Sequence, residues 1–162
     1  MTEEYKDRLR TEKVAVSERL AGVDISAYQL SRIDRRIEVY CREVADHPQA
    51  HNLYEQLAVE RFFRMVDKYG LNAVEVLKFF ALYENLYFPG KTGLQKYKLT
   101  PVQTFQYASI FGFWKGDRRV VRRVMLFVPR KFSKTTSSAA LAVNDVLYGD
   151  ANAECYTCAN SE

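Results

Sequence analysis

A short basic segment, residues 129–136, carries the residue types with the clearest chemical potential. It follows an apolar run and ends with Ser133, Lys134, Thr135 and Thr136 at the expected start of a helix. Backbone N–H groups at a helix N-terminus lack internal acceptors and can bind an anion, helped by the helix dipole. A lysine there can reach the outer phosphates of a nucleotide, and the neighbouring hydroxyl can ligate Mg²⁺. The pattern therefore predicts a phosphate-binding loop.

The match to the phosphate-loop pattern G-x-x-x-x-G-K-[ST] is partial. Lys134 and Thr135 fit its last two positions, whereas Val128 and Ser133 replace its two glycines. Loss of the second glycine restricts how closely the backbone can approach a phosphate. Lys131 and Lys134 could instead be solvated charges. Cations are unfavourable at a helix N-terminus, however, and this favours a bound anion.

The elements around this segment predict an α/β fold. Residues 120–128 read as a strand, and their apolar end is typical of burial on both faces of a parallel sheet. A helix over residues 134–147 and a second strand over residues 153–159 follow. The resulting β-loop-α-β order is the unit that builds parallel sheets.

The chain before this unit is predicted to be helical. We expect three or four helices before residue 86, with candidates over residues 3–20, from Ser26 to the break at 46–48, and over 49–69 and 72–85. Ser26 with Gln29 resembles a capping box for the second of them. Residues 86–99 are expected to be a connection, and Thr100 starts a fifth helix that runs to about residue 113.

Composition and charge bound the function classes. The 162 residues are 48% hydrophobic with a net charge of +4, which fits a folded domain with a helical extension. Positive charge gathers between Lys115 and Lys134 and includes Arg118, Arg119, Arg122 and Arg123. We expect these arginines to guard a strand edge, with a DNA-facing patch as the alternative. No apolar segment reaches the length of a membrane span, so we expect no membrane partner and an intracellular protein.

Four segments together resemble a known family. Residues 129–135 resemble the deviant Walker A loop of phage terminase large subunits, which commonly reads Pro-Arg-Lys-Asn-Gly-Lys-Thr. Residues 99–103 resemble the Leu-x-Pro-x-Gln motif of that family, and residues 110–114 resemble its Ile-Phe-Gly-Trp/Phe element. Residues 153–159 resemble the second strand of its ATPase domain. The resemblance does not extend to the first 85 residues.

The resemblance implies an N-terminal helical region over residues 1–98 and the first part of a P-loop ATPase domain over residues 99–162. It also implies a set of residues that bind ATP and Mg²⁺. This set is Gln103, Arg130, Lys131, Ser133, Lys134, Thr135 and Thr136. Lys134 would bind the β- and γ-phosphates, Thr135 would hold Mg²⁺, and Gln103 would contact adenine.

In this family the two basic loop positions, Arg130 and Lys131 here, would contact the γ-phosphate. The implied protein is a motor that moves double-stranded DNA into a procapsid, together with a small terminase subunit and a portal protein. It would work as a homo-oligomer in the host-cell cytoplasm. A Walker B strand and a nuclease domain are expected beyond residue 162. We therefore expect residues 1–162 to bind nucleotide at most weakly and not to hydrolyse ATP.

Several alternatives remain open. Gln103 could simply close a capping box with Thr100. The chain could be a non-enzymatic helical module that binds DNA or protein and carries a remnant phosphate loop. A helicase-type or strand-exchange ATPase is a further possibility, against which the segments at residues 99–114 argue. A nucleotide-binding measurement separates the terminase-like ATPase from the non-enzymatic module.

Other chemically suggestive residues are expected to be structural. His47 and His51 have metal-ligand spacing, but Pro48 lies between them and no further ligand completes a site. Cys155 and Cys158 have no second pair for a zinc site, and we expect buried thiols in a strand. An aromatic run is expected to belong to the core rather than to stack on bases. It comprises Phe79, Phe80, Tyr83, Tyr87 and Phe88.

Overall fold

A computed structural model describes residues 2–125, 133–149 and 154–156, which are mostly helical. Within them lie six α-helices, two short 3-10 helices and two β-hairpins. The α-helices are α1 (Glu3–Ala21), α2 (Ser31–Asp46), α3 (Leu53–Tyr69), α4 (Ala73–Asn85), α5 (Pro101–Phe111) and α6 (Lys134–Tyr148). The strands are β1 (Phe88–Gly90), β2 (Gly93–Gln95), β3 (Trp114–Lys115) and β4 (Arg118–Arg119). None of the helices in the described ranges has the length and apolar character needed to cross a membrane.

The chain divides into two compact units. The first comprises Met1–Leu77 and Thr100–Arg123, and the second comprises Lys78–Leu99 and Val124–Glu162. Helices α1, α2, α3 and α5 and the β3–β4 hairpin belong to the first unit. The β1–β2 hairpin, α6 and most of α4 belong to the second. The helical character predicted for the front of the chain is confirmed.

Aromatic packing forms the core of the first unit. The ring of Phe62 on α3 lies 5.2 Å from that of Phe105 on α5 and 5.6 Å from that of Phe113, between ring centroids. Phe105 also contacts Tyr40 of α2 at 4.8 Å. The three phenylalanines are at most 5% exposed. Burial of such large apolar side chains is the main stabilising term, so this cluster fixes α5 against α2 and α3.

A buried amide ties the same unit together. Gln56 is fully buried, and its Oε1 accepts a hydrogen bond from Ser17 of α1 at 2.8 Å. Its Nε2 donates to the carbonyl oxygens of Pro48 at 2.7 Å and His51 at 3.3 Å. A buried amide is tolerated only when its polar atoms are satisfied. Gln56 therefore links α1 and α3 to the segment between α2 and α3.

Most helix boundaries agree with the sequence pattern. Asn52 and Glu55 form a complete capping box at the start of α3, and Gly70 ends that helix with φ of 70°. Asn72 accepts a hydrogen bond from the backbone N–H of Glu75 in the first turn of α4, as predicted. Helix α3 starts four residues later than expected, because residues 48–50 form a separate 3-10 turn.

The predicted start of the second helix is wrong. Ser26 lies inside a 3-10 helix, Ile25–Tyr28, whose N-terminus is capped by the Asp24 side chain. Gln29 takes a left-handed conformation with φ of 51°, so no capping box forms there. The regular part of α2 begins after Asp34, whose backbone is non-helical and whose carboxylate accepts from the Arg36 N–H at 2.8 Å.

The connection predicted for residues 86–99 contains a hairpin instead. Strands β1 and β2 pair antiparallel, with Phe88 opposite Gln95 and Gly90 opposite Gly93. Pro89 lies in β1 although proline has no N–H to donate to a ladder. In a two-stranded hairpin every strand is an edge, and an edge tolerates proline.

The two strands predicted around the phosphate loop are not seen in the described residues. Residues 121–125 and 154–156 form no strand. Val124 and Met125 are 51% and 91% exposed, the opposite of a strand buried on both faces. A central strand needs partners on both sides, and no described segment pairs with residues 121–125. Both strand pairs in the described part of the chain are antiparallel, and residues 126–132, 150–153 and 157–162 lie outside it.

The end of α5 generates a stability prediction at Gly112. A Cβ there would overlap the Leu71 side chain and lie 2.6 Å from the carbonyl oxygen of Ala108, which is backbone and cannot move aside. We expect Gly112→Ala to lower the free energy of unfolding by about 1–3 kcal/mol, measured by urea denaturation. Gly22→Ala is the control, because its Cβ would meet only ordinary contacts at 3.5 Å. Equal stability of the two variants would contradict this packing.

Asp34 generates a pH prediction. Burial alone would raise the pKa of Asp34, but hydrogen bonds from the Arg36 side chain and backbone N–H outweigh it and leave this pKa below its ordinary value. A carboxyl whose pKa falls on folding stabilises the fold above its unfolded pKa, and the stabilisation is lost as the pH falls through the folded pKa. We therefore expect Asp34→Asn to cost about 1 kcal/mol at neutral pH and to flatten the loss of stability below about pH 4.

Asparagine keeps a side-chain oxygen that can accept from the Arg36 N–H, so this substitution isolates the charge. Asp46→Asn is the control, because it removes an equal charge at the exposed end of the same helix, where Asp46 has no ion-pair partner among the described residues. A steep acid transition in Asp34→Asn, identical to that of the unmodified chain, would show that the Asp34–Arg36 pair does not contribute.

Candidate phosphate-binding site

Helix α6 begins with an unusual backbone conformation at Ser133. Ser133 is its N-cap and is left-handed, with φ of 55° and ψ of 29°. Glycine adopts this region without cost, whereas other residues lose roughly 1–2 kcal/mol. Ser133 stands where the phosphate-loop pattern requires its second glycine. Ser133 therefore adopts a backbone conformation that usually selects glycine, at the position where the pattern has its second glycine.

The Ser133 side chain leaves the first N–H groups of α6 uncapped. It makes no capping hydrogen bond, and the first bond of the helix runs from the Ser137 N–H to the Ser133 carbonyl oxygen at 2.9 Å. The backbone N–H groups of Lys134, Thr135 and Thr136 precede it and lack helical acceptors. A left-handed residue followed by right-handed ones makes successive N–H groups converge, as in anion-binding nests.

The charge at this helix start also favours an anion. The first turn of α6 contains no acidic residue and begins with Lys134. Helices α1 and α3 instead place glutamates in their first turns, where the helix dipole favours negative charge. Lys134 and Thr135 are both exposed. Neither side chain forms a hydrogen bond or an ion pair with another residue in the described ranges, so both can contact a ligand.

The opposite face of α6 holds the helix in place. Ser137, Ala140 and Asn144 are the buried residues of this helix. At its other end the ammonium group of Lys78 lies over the Tyr148 ring, 4.8 Å from the centroid. The spacing of Ser137, Ala140 and Asn144 puts these buried side chains on one stripe of the helix. Lys134 and Thr135 in the first turn are exposed.

The implied ATP-binding residues are divided between the two units. Ser133, Lys134, Thr135 and Thr136 are adjacent at the start of α6 in the second unit, with Thr136 half-buried. Gln103 belongs to the first unit. The remaining two implied residues, Arg130 and Lys131, lie outside the described residues, so their contact with a γ-phosphate stays a prediction.

Gln103 forms the capping box that the sequence offered as its alternative role. Its Oε1 accepts hydrogen bonds from the backbone N–H and the hydroxyl of Thr100, both at 3.0 Å. The Gln103 N–H in turn donates to the Thr100 hydroxyl at 3.4 Å. Gln103 is 8% exposed. The bonds from Thr100 use the oxygen of the Gln103 side chain and not its amide nitrogen. A contact between that nitrogen and adenine stays a prediction.

The sequence matches no protein-family model, and neither the curated proteins nor the solved structures include a match to it. The likeness to terminase large subunits therefore depends on the four sequence segments alone.

The histidines and cysteines that were expected to be structural lie in different surroundings. No group of three potential ligands in the described ranges could hold a metal, which includes the surroundings of His47 and His51. Cys41 is buried, and this burial raises the pKa of its thiol. The expectation for Cys155 is wrong, because this residue is exposed and lies in no strand. Cys158 lies outside the described residues.

The aromatic run belongs to the core, as predicted, with one exception. Phe79, Phe80, Tyr83 and Phe88 are at most 7% exposed. Tyr87 is 63% exposed, and the ammonium group of Lys96 lies 5.1 Å from its ring centroid. The run therefore offers no continuous surface on which bases could stack.

Sequence reasoning missed the β3–β4 hairpin. It began a strand only at Val120. In the structure Trp114 pairs with Arg119 and Lys115 with Arg118. Gly116 has φ of 62°. A two-residue Gly-Asp loop is itself a hairpin signal, so the sequence did contain the pattern that predicts it.

The two roles of Gln103 can be separated by substitution. Gln103→Glu keeps an oxygen that accepts from Thr100 but removes the amide that would donate to adenine. We expect it to preserve the thermal midpoint and to weaken binding of an ATP analogue relative to a GTP analogue. Gln103→Ala removes the cap as well and should cost about 1 kcal/mol of stability. Unchanged base preference in Gln103→Glu would leave the capping box as the sole role.

Proposed function

We propose that this chain binds the phosphates of ATP at the N-terminus of α6, as part of an ATPase related to the large subunit of viral DNA-packaging terminases. The observation that carries the proposal is the left-handed backbone of Ser133 directly before Lys134 and Thr135. Glycine is the residue that such a position normally selects, and the phosphate-loop pattern has glycine at this position.

The local chemistry supports a triphosphate more than a single carboxylate. Uncapped N–H groups of the first turn would cradle one phosphate, and the Lys134 ammonium group reaches further along the chain of phosphates. A lysine is a compact charge that suits several phosphate oxygens, whereas a bidentate carboxylate is better matched by arginine. The helix dipole adds a favourable field for the negative charge.

Thr135 would hold the Mg²⁺ ion that accompanies ATP. Its hydroxyl is exposed and has no hydrogen bond to another described residue. Other helical hydroxyls in the chain, such as those of Thr104 and Ser109, bond back to a preceding carbonyl oxygen. Mg²⁺ prefers oxygen ligands and bridges phosphate oxygens, whose charge it neutralises. The hydroxyl at this position therefore fits the ion.

The larger assembly belongs to the same proposal and is supported by the resemblance alone. The parent motor would contain a parallel sheet behind the loop and would move double-stranded DNA into a procapsid. Its partners would be a small terminase subunit, a portal protein and further copies of itself in the host-cell cytoplasm.

A non-enzymatic helical module that binds DNA or protein is the second candidate. The predominance of helix in the first unit favours it. This candidate assigns no ligand to Ser133 and Lys134. Nucleotide binding at α6 is therefore the property on which the two candidates differ.

Substitution of Lys134 tests the site. We expect Lys134→Ala to weaken binding of a fluorescent ATP analogue by about 10- to 100-fold, because a charge-assisted hydrogen bond contributes roughly 1.5–3 kcal/mol. Lys91→Ala is the matched control, since Lys91 is exposed, unpaired within the described ranges and in the same unit. Titrations are monitored by fluorescence anisotropy, with circular dichroism to establish that both variants fold.

Ser133 provides a second arm of the same experiment. Ser133→Gly relieves the left-handed strain and should preserve or tighten binding, whereas Ser133→Val places a β-branched residue at positive φ and should weaken it. Equal affinities of the Lys134 and Lys91 variants, or no binding by the unmodified chain, would favour the non-enzymatic candidate.

A further inference from the structure

The β3–β4 hairpin and the residues that follow it, residues 114–123, form a segment that we call the basic hairpin. It contains five basic residues and one acidic residue. The whole chain has 24 basic and 20 acidic residues, so 19 of each remain elsewhere. The net charge of +4 thus equals the excess in these ten residues. Such a concentration on one short element marks a surface for a polyanion.

Strand register puts two of the cations on one face. Lys115 lies directly opposite Arg118, and Trp114 lies opposite Arg119. Successive side chains on a strand point to opposite faces. Arg119 is half-buried over the Phe111 ring, 5.2 Å from its centroid. Lys115 and Arg118 therefore share the outward face, and both are exposed.

The first unit holds this hairpin in place. The Trp114 indole N–H donates to the Phe111 carbonyl oxygen at 2.7 Å, and the Val120 N–H donates to that of Phe113 at 2.8 Å. The carbonyl oxygen of Gly112, just before the hairpin, accepts from the Asn72 N–H at 2.8 Å. The outward cations therefore lie on a hairpin that the first unit already holds in place. A ligand does not have to order this hairpin when it binds.

The exposed cations of the basic hairpin have no ion-pair partner among the residues that the structure describes. They are Lys115, Arg118, Arg122 and Arg123, and none forms an ion pair with another residue in the described part of the chain. Like charges directly opposite each other on paired strands are destabilising. The Lys115–Arg118 pair is such a case, and an external anion would relieve it.

We propose that the exposed cations of the basic hairpin bind the phosphate backbone of double-stranded DNA. Arginine predominates among its cations, and the planar guanidinium group suits phosphate oxygens. Single strands would need exposed aromatic side chains for stacking, whereas Trp114 is half-buried with its N–H already bonded. The choice of DNA among polyanions rests on the proposed packaging function. The concentration of positive charge and the strand register do not depend on that function.

Salt-dependent binding tests the proposal. The full chain is titrated against a labelled mixed-sequence duplex of about 25 base pairs, at several salt concentrations between roughly 50 and 200 mM. The double variant Arg118→Gln/Arg122→Gln should weaken binding about tenfold or more and lower the slope of log K against log salt by about 2, since each lost phosphate contact removes about 0.9. Arg119 is left unchanged because it contacts Phe111.

The matched control is Arg61→Gln/Arg64→Gln on α3. Both arginines are exposed and belong to the same unit, so the control has the same net charge as the test variant. An equal loss of DNA affinity in both variants would show that net charge alone explains the effect, and it would overturn the proposal. Failure of the unmodified chain to bind at low salt, preference for single strands, or displacement by polyglutamate as effective as by unlabelled duplex would overturn it as well.

The same preparations separate this proposal from the proposed function. Nucleotide binding that depends on Lys134, together with DNA binding indifferent to Arg118 and Arg122, would reject the hairpin surface alone. DNA binding that depends on these arginines, without nucleotide binding, would reject the nucleotide site and leave the DNA surface in place.

Discussion

The contact of Phe62 with Phe105 and Phe113 is the constraint on which the first unit depends. Phe62 belongs to α3, Phe105 lies within α5 and Phe113 follows the end of that helix. One ring therefore fixes both the body of α5 and the chain that leaves it. Because these rings are almost fully buried, displacement of α5 would expose several large apolar side chains at once. The hairpin that follows inherits its position from this core.

Two helix starts with similar residues show how backbone geometry decides the availability of N–H groups. Thr100 is extended, with φ of −78° and ψ of 162°, and its hydroxyl accepts from the Gln103 N–H. Ser133 is left-handed, and its hydroxyl makes no capping bond. Side-chain chemistry alone would predict a cap at both positions. The first start is capped by its own side chains, whereas the Ser133 side chain does not cap the second.

The features that the sequence predicted correctly depend on local periodicity and on residues that begin or end a helix. Helices α3 and α6, the cap at Thr100 and the glycine at the end of α3 follow from 3.6-residue patterns and from residues with special backbone preferences. The predicted strand over residues 120–128 depended on an apolar run, and such a run does not reveal whether a partner strand lies beside it. Gln29 and Ser133 could not be placed because left-handed non-glycine residues are set by tertiary context.

The geometry at Ser133 bears on the choice between a ligand site and a remnant loop. A left-handed serine costs roughly 1–2 kcal/mol, and a missing N-cap bond costs about 1 kcal/mol more. Thr2, Asn52 and Thr100 avoid both costs with extended backbones and side-chain caps. A helix start without a ligand could adopt that cheaper arrangement. Strain at a residue that precedes an exposed lysine and a hydroxyl without a hydrogen bond to another described residue therefore favours a site that becomes stable when a phosphate occupies it.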